Sequence, residues 1–108
     1  MAKNLTGTNV TIASSGTTST SVTMQANRVP MAIVLPAAFT GTALTFQASF
    51  DDATYNPIYD EATQYSINVG TSRHIALKRQ AMEGVKYFKI VSGTAETAQR
   101  TILVISGE

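Results

Sequence analysis

Leu44 to Phe50 reads LTFQASF, and apolar and polar side chains alternate along it without a break. A period of two residues is that of a β-strand with one face on a core and the other toward solvent. The stretch therefore predicts a half-buried strand in which Leu44, Phe46, Ala48 and Phe50 face the core. The turn residues Asp51 and Asp52 follow it directly.

Similar patterns extend outward from this strand in both directions. Val10 to Ala13 and Val22 to Ala26 alternate on either side of a Ser/Gly/Thr turn and predict a hairpin. Met31 to Leu35 is a continuous apolar run between prolines, which predicts a strand that is buried on both faces or ends sharply. Further strands are predicted at 65–69, 75–77, 85–91 and 101–105. Residues 78–84 predict one helical turn.

About eight short strands, with turn signals every eight to twelve residues, are typical of a sandwich or barrel. The chain therefore has an all-β fold, and we assign residues 1–108 to a single antiparallel β-sandwich domain. Within it, residues 1–8 are interpreted as an extended arm. No internal repeat or linker indicates a second domain.

The composition argues against several function classes. Charged residues make up 14% of the chain, against roughly 25% in an average domain, and the net charge is +1. This leaves no basic tract for nucleic acid. The longest apolar stretch, Val29 to Phe39, is interrupted by two prolines and is too short to cross a membrane. The absence of cysteine excludes disulfides and thiolate chemistry.

Catalytic apparatus is not evident in the sequence. The only histidine, His74, has no nucleophile elbow or phosphate-binding glycine loop beside it. We therefore expect no enzymatic activity and no cofactor. Asp51, Asp52, Asp60 and Glu61 form an acidic segment that either binds a cation or serves turn chemistry, and turn chemistry is favoured because the spacing fits no EF-hand loop.

Two further groups are candidates for contacts. The segment 73–89 is basic and forms either a solvated face or a contact for an acidic partner, such as segment 51–61 of a neighbouring copy. Three tyrosines, at positions 55, 59 and 65, are either core residues or the floor of a sugar site. The candidate interface residues are Tyr55, Tyr59, Asp60, Arg73, His74, Lys78 and Arg79.

Two segments carry a family resemblance. Phe39 to Asp60, FTGTALTFQASFDDATYNPIYD, and the later FKIVSGT (88–94) and RTILV (100–104) resemble small structural proteins of tailed bacteriophages. The resemblance implies a jelly-roll-like β-sandwich and a role as a capsid decoration, or cement, protein. The chain departs from the family pattern at Asp52 and after Asp60, where glycines are expected.

This resemblance implies a protein that binds the major capsid protein on the outside of the head shell and stabilises the shell. It also implies a homo-oligomer, taken as a trimer, that is made in the host cytoplasm and located on the virion surface. The alternatives are a carbohydrate-binding module for host glycans and a tail or connector component. Because residues 4–27 include no charged residue, we expect the N-terminal edge to be covered in the assembly.

Overall fold

The computed structural model describes residues 4–25 and 28–107, which form eleven strands and one helical turn. The strands are β1 (Thr6–Ile12), β2 (Val22–Thr23), β3 (Val29–Val34), β4 (Ala43–Ser49), β5 (Asn56–Pro57), β6 (Tyr59–Asp60), β7 (Thr63–Gln64), β8 (Ser66–Asn68), β9 (His74–Ala76), β10 (Tyr87–Ser92) and β11 (Arg100–Gly107). The helix is α1 (Arg79–Met82). Seven strands have three residues or more, and the other four have two residues each.

The strands form two main antiparallel sheets. Sheet A has the order β1-β11-β3-β9. Sheet B has the order β2-β10-β4-β5, and β8 pairs with the first half of β4. The short strands β6 and β7 form a separate hairpin. The predicted all-β, jelly-roll-like antiparallel β-sandwich is confirmed.

The core lies between the two sheets and is made by the inward-facing residues of each. Phe46 of β4 and Phe88 of β10 are fully buried, and their ring centroids are 6.5 Å apart. Ile33 of β3 and Ile102 of β11 are buried to the same extent on the facing sheet. Burial of a large apolar side chain contributes roughly 1.5–3 kcal/mol, so these positions stabilise the fold most.

The strand predicted at residues 44–50 is confirmed, but the predicted orientation of Phe50 is wrong. Leu44 and Phe46 are 0% exposed, whereas Phe50 is 83% exposed. The reason is that β4 ends at Ser49, whose hydroxyl donates to the Asp51 carboxylate at 2.9 Å. The chain bends there, so the alternation no longer sets the direction of the next side chain.

The predicted N-terminal hairpin is also wrong. β1 pairs along all seven residues with β11 in sheet A, whereas β2 pairs with β10 in sheet B. A single bridge, between Ile12 and Ser19, joins the two segments. The long ladder offered by β11 outweighs the short local pairing. Ala26, the last residue of the second predicted hairpin strand, lies outside the described residues.

The remaining predicted elements agree with the structure. One helical turn is present at Arg79–Met82, and observed strands overlap the predicted ranges 65–69, 75–77, 85–91 and 101–105. Of the residues interpreted as an arm, 1–3 lie outside the described residues, and Thr6 to Thr8 pair with β11. Within 4–25 and 28–107, no helix is long and apolar enough to cross a membrane.

Candidate functional site

The side of sheet A that faces away from the core carries an apolar patch. Ile102 and Val104 of β11 are 0% and 1% exposed, and they point inward. Their neighbours Leu103 and Ile105 therefore point outward, where both are partly exposed. Leu103 pairs directly with Val34 of β3, which also points outward. These side chains begin a surface that we call the outer apolar face, which consists of Leu5, Met31, Val34, Leu103 and Ile105.

Two glycines make the outer apolar face continuous. A Cβ atom on Gly7 of β1 would lie 3.0 Å from Cδ1 of Leu103. A Cβ atom on Gly107 would lie 2.6 Å from Sδ of Met31 and 2.9 Å from Cδ2 of Leu5. The side chains of Leu103, Met31 and Leu5 therefore occupy the space that side chains at these two positions would need. The apolar surface thus extends from β1 across β11 to β3, and Leu5 within it is 48% exposed.

The outward side of sheet B is polar by contrast. Gln47 of β4 pairs with Lys89 of β10, and Thr45 pairs with Val91. The ammonium of Lys89 lies 4.4 Å from the centre of the Tyr55 ring. Hydroxyl, amide and ammonium groups thus dominate this side. The outer side of sheet A thus has an apolar patch, whereas the outer side of sheet B is polar, as is usual for the solvated side of an antiparallel sheet.

An aromatic and lysine cluster extends the polar side toward the end of β4. Nζ of Lys86 lies 5.1 Å from the centre of the exposed Phe50 ring and 5.5 Å from that of Tyr87. Phe50 and Lys86 also line an open groove of about 810 Å³, whose floor includes Met24 and Val85. The lysine covers part of the exposed ring, which favours solubility for an otherwise apolar surface.

Three of the predicted contact residues, Asp60, Lys78 and Arg79, form ion pairs within the chain. Lys78 forms an ion pair with Asp60, and Arg79 forms one with Glu83 at 3.2 Å. The hydrogen bond to Asp60 raises the pKa of Lys78. These pairs are exposed, where an ion pair contributes about 0–1 kcal/mol. Asp60, from the acidic segment predicted to contact a neighbouring copy, thus has an ion-pair partner in its own chain.

Arg73 and His74 lie at the exposed edge of sheet A. The backbone oxygen of Arg73 accepts a hydrogen bond from the Leu35 amide at 2.8 Å. Its guanidinium lies over Gly70, where a Cβ atom would be 2.8 Å from Nε. His74 begins β9, is exposed and pairs with Val34 of the outer apolar face. Of the predicted contact residues, His74 is therefore the one that borders this face.

The three tyrosines have different environments. Tyr65 stacks on Phe46 with ring centroids 5.5 Å apart and packs against the core. Tyr59 is 56% exposed on β6. Tyr55 lies near Lys89 and donates a hydrogen bond to Asp52, and burial together with this bond raises the pKa of Tyr55. Among the described rings no ring-to-ring contact joins the three tyrosines.

The acidic segment serves turns. The Asp51 carboxylate accepts hydrogen bonds from the amides of Thr54 and Ala53, both at 2.9 Å, and from the Ser49 hydroxyl. These bonds lower the pKa of Asp51 to about 2, the Thr54 amide having the largest effect. No group of three or more His, Asp or Glu residues suited to a metal ion exists within 4–25 and 28–107.

One buried polar cluster was not predicted from the sequence. Glu96 is 1% exposed, and its carboxylate accepts hydrogen bonds from the amides of Thr40 and Gly41 at 2.9 and 3.0 Å and from Arg100. Burial raises the pKa of Glu96, but these bonds outweigh it, and the net effect lowers the pKa. We call Glu96 with these three partners the Glu96 cluster. It holds the loop before β4 against the segment before β11.

Comparison with known proteins shows no family for this chain. It matches no protein-family model and no curated protein sequence. Among solved structures it is similar to Drosophila NLP-core, with 14% identity over 95% of this chain and 99% of that chain and a TM-score of 0.44. That structure was described for its insight into pentamer formation and histone binding.

A second similar structure is the Yersinia pseudotuberculosis-derived mitogen. The identity is 10% over 98% of this chain and 86% of that chain, and the TM-score is 0.46. At these identities and TM-scores the likeness supports no statement about function. The function must therefore be argued from the surfaces of the molecule.

Proposed function

We propose that this chain is a virion structural protein of a tailed bacteriophage, a capsid decoration protein that binds the outside of the head shell and stabilises it. The observation that carries the proposal is the outer apolar face of sheet A. A continuous apolar surface that covers several strands is typical of a site of protein contact. Single apolar residues scattered over a surface are common and need no such explanation.

The difference between the two outer sides supports attachment with a fixed orientation. The outer apolar face suits burial against a shell of major capsid protein, and the polar side of sheet B, with Gln47 and Lys89, suits contact with water. The family resemblance in residues 39–60, 88–94 and 100–104 supplies the class of partner. Virion surface location follows from the same proposal.

Binding to purified capsids tests this function. Capsids from a phage mutant that lacks this protein are mixed with the wild-type chain, with Leu103→Lys and with the control Thr101→Lys. Thr101 lies on the same strand and is exposed, but it pairs with Thr11 outside the outer apolar face. The control thus adds the same charge to the same side of the sheet.

We expect the wild type and Thr101→Lys to co-sediment with the capsids and to raise the temperature at which they disrupt. Leu103→Lys should lose most of this binding, because an unpaired ammonium would be buried in the contact. A urea titration verifies that the variant is folded. Wild-type protein that fails to bind capsids contradicts the proposed function, and full binding by Leu103→Lys contradicts the assigned surface.

A further inference from the structure

The outer edge of β1 has backbone groups without partners. The Thr20 amide donates to the Thr11 carbonyl at 2.9 Å, so the backbone of Thr11 faces away from β11. Alternate residues of a strand present their N–H and C=O groups to the same edge. Gly7 and Asn9 therefore also face away from β11. Within the described part of the chain, no hydrogen bond reaches these four groups.

This edge lacks the features that keep strand edges apart. β1 is seven residues long, contains no proline or charged residue, and pairs with β11 without a bulge. Natural edge strands are usually protected by charges, prolines, bulges or short length. The opposite edge of sheet A has such protection, because β9 has only three residues and begins at His74. The unprotected edge of β1 is therefore suited to pairing with a further strand.

A second copy of the chain is the occupant that the charge distribution favours. No charged side chain occurs from Asn4 to Gln25, so two such edges meet without like-charge repulsion. A neutral edge offers no electrostatic attraction to a charged strand of another protein. Gly7 adds no side chain to this edge, and Leu103 of the same chain fills the space that such a side chain would take.

We infer that two copies of the chain pair antiparallel along β1, about a two-fold axis at Thr8. In this register Gly7 of one copy lies opposite Asn9 of the other, and their outward N–H and C=O groups satisfy one another twice. Sheet A then becomes one sheet of eight strands across the dimer. The two outer apolar faces become adjacent and form one larger contact surface, and this last role rests on the proposed function.

Amide hydrogen exchange combined with mass measurement of the free protein tests the pairing. We expect a dimer at high concentration and protection of the Gly7 and Asn9 amides by about 100-fold or more over the unstructured rate. The Thr8 and Val10 amides, which face β11, are the internal reference. A monomer, a trimer, or a dimer in which Gly7 and Asn9 exchange freely overturns the inference.

Asn9→Pro provides a second test, because it removes the outward N–H without touching a hydrogen bond to β11. It should shift the mass to that of a monomer, while the control Asn9→Ala, which keeps the amide, should remain a dimer. If Asn9→Pro does not fold, hydrogen exchange on the wild type still decides. Failure of dimerisation with retained capsid binding separates this inference from the proposed function.

Discussion

The carboxylate of Glu96 lies 3.0 Å from Nε of Arg100, and the Glu96 side chain has no exposure to solvent. The same carboxylate accepts hydrogen bonds from the backbone amides of Thr40 and Gly41. Removal of one partner from a buried ion pair is costly, because the other charge is left without compensation. The Glu96 cluster therefore provides a sharp test of how the loops between the sheets are held.

Replacing Glu96 with Gln should lower the free energy of unfolding by about 3 kcal/mol, because Arg100 loses its counterion in a buried site. The matched control is Glu83→Gln, which removes the same charge from the exposed pair with Arg79, also at a spacing of four residues. This control should cost less than about 0.5 kcal/mol. Urea denaturation of both variants measures the difference, and equal losses would contradict the structural role of Glu96.

Gly41→Ala should destabilise the protein through crowding in the same cluster. The added Cβ would lie 2.4 Å from Oγ of Ser92 and 3.0 Å from the Phe39 ring. Overpacking of this kind typically costs about 1–3 kcal/mol. Gly84→Ala is the control, because no atom lies within 4 Å of its added Cβ, and it should be neutral or slightly stabilising. A thermal melt of each variant checks the order.

Glu61→Gly should stabilise the chain. Glu61 has a φ of 59°, in the left-handed region, where a side chain costs about 1–2 kcal/mol and glycine does not. After the larger backbone entropy of glycine is subtracted, a gain of about 0.5–1 kcal/mol is expected. Glu61→Ala keeps the Cβ and should not show this gain. A higher urea midpoint for Glu61→Ala than for Glu61→Gly would contradict the explanation.

Glu61 stands where the sequence resemblance led us to expect a glycine soon after Asp60. The chain turns into the left-handed region at Glu61, and Asp52 does the same with a φ of 60°. Aspartate tolerates this conformation better than glutamate, and Asp52 gains a hydrogen bond from Tyr55. Both of these positions thus have the positive φ that glycine tolerates best.

The sequence predicted the sandwich because alternation is local. Leu44 and Phe46 show the period of a half-buried strand without any knowledge of the strands beside them. The partners of β1 and β2 depend on contacts far apart in the chain, so the predicted hairpin had no local evidence against it. Likewise, Glu96 lies in a polar connection, where a Glu and an Arg four residues apart also suit a solvated loop.

The outer apolar face was only partly evident in the sequence. The uninterrupted run Met31 to Leu35 predicted a strand with apolar residues on both sides, and β3 has them. The surface itself arises because Val34 lies beside Leu103, and this register is set by long-range pairing. The contact residues predicted from the sequence are charged or aromatic instead, and most of them pair within the chain.

Acid should remove the stability that Asp51 contributes. Its pKa is lowered from 3.8 to about 2 in the folded chain, so the contribution is complete above pH 3.8 and is lost as the pH falls toward 2. Asp51→Asn lacks this titration. The difference in urea midpoint between the wild type and Asp51→Asn should therefore shrink between pH 4 and pH 2. A difference that does not change with pH contradicts the assigned cause.

Phe46 and Phe50 share one face in the alternating stretch, yet their substitution should have opposite consequences. Phe46 is 0% exposed and stacks with Tyr65, so Phe46→Ala should cost about 3–5 kcal/mol through a core cavity. Phe50→Ala loses only the exposed contact with Lys86, which is worth at most about 1 kcal/mol. Urea denaturation distinguishes the two. Comparable losses of unfolding free energy would show that Phe50 is buried in solution, either by its own chain or by a second copy. Measurement at lower protein concentration would separate the two causes, because only burial by a second copy depends on concentration.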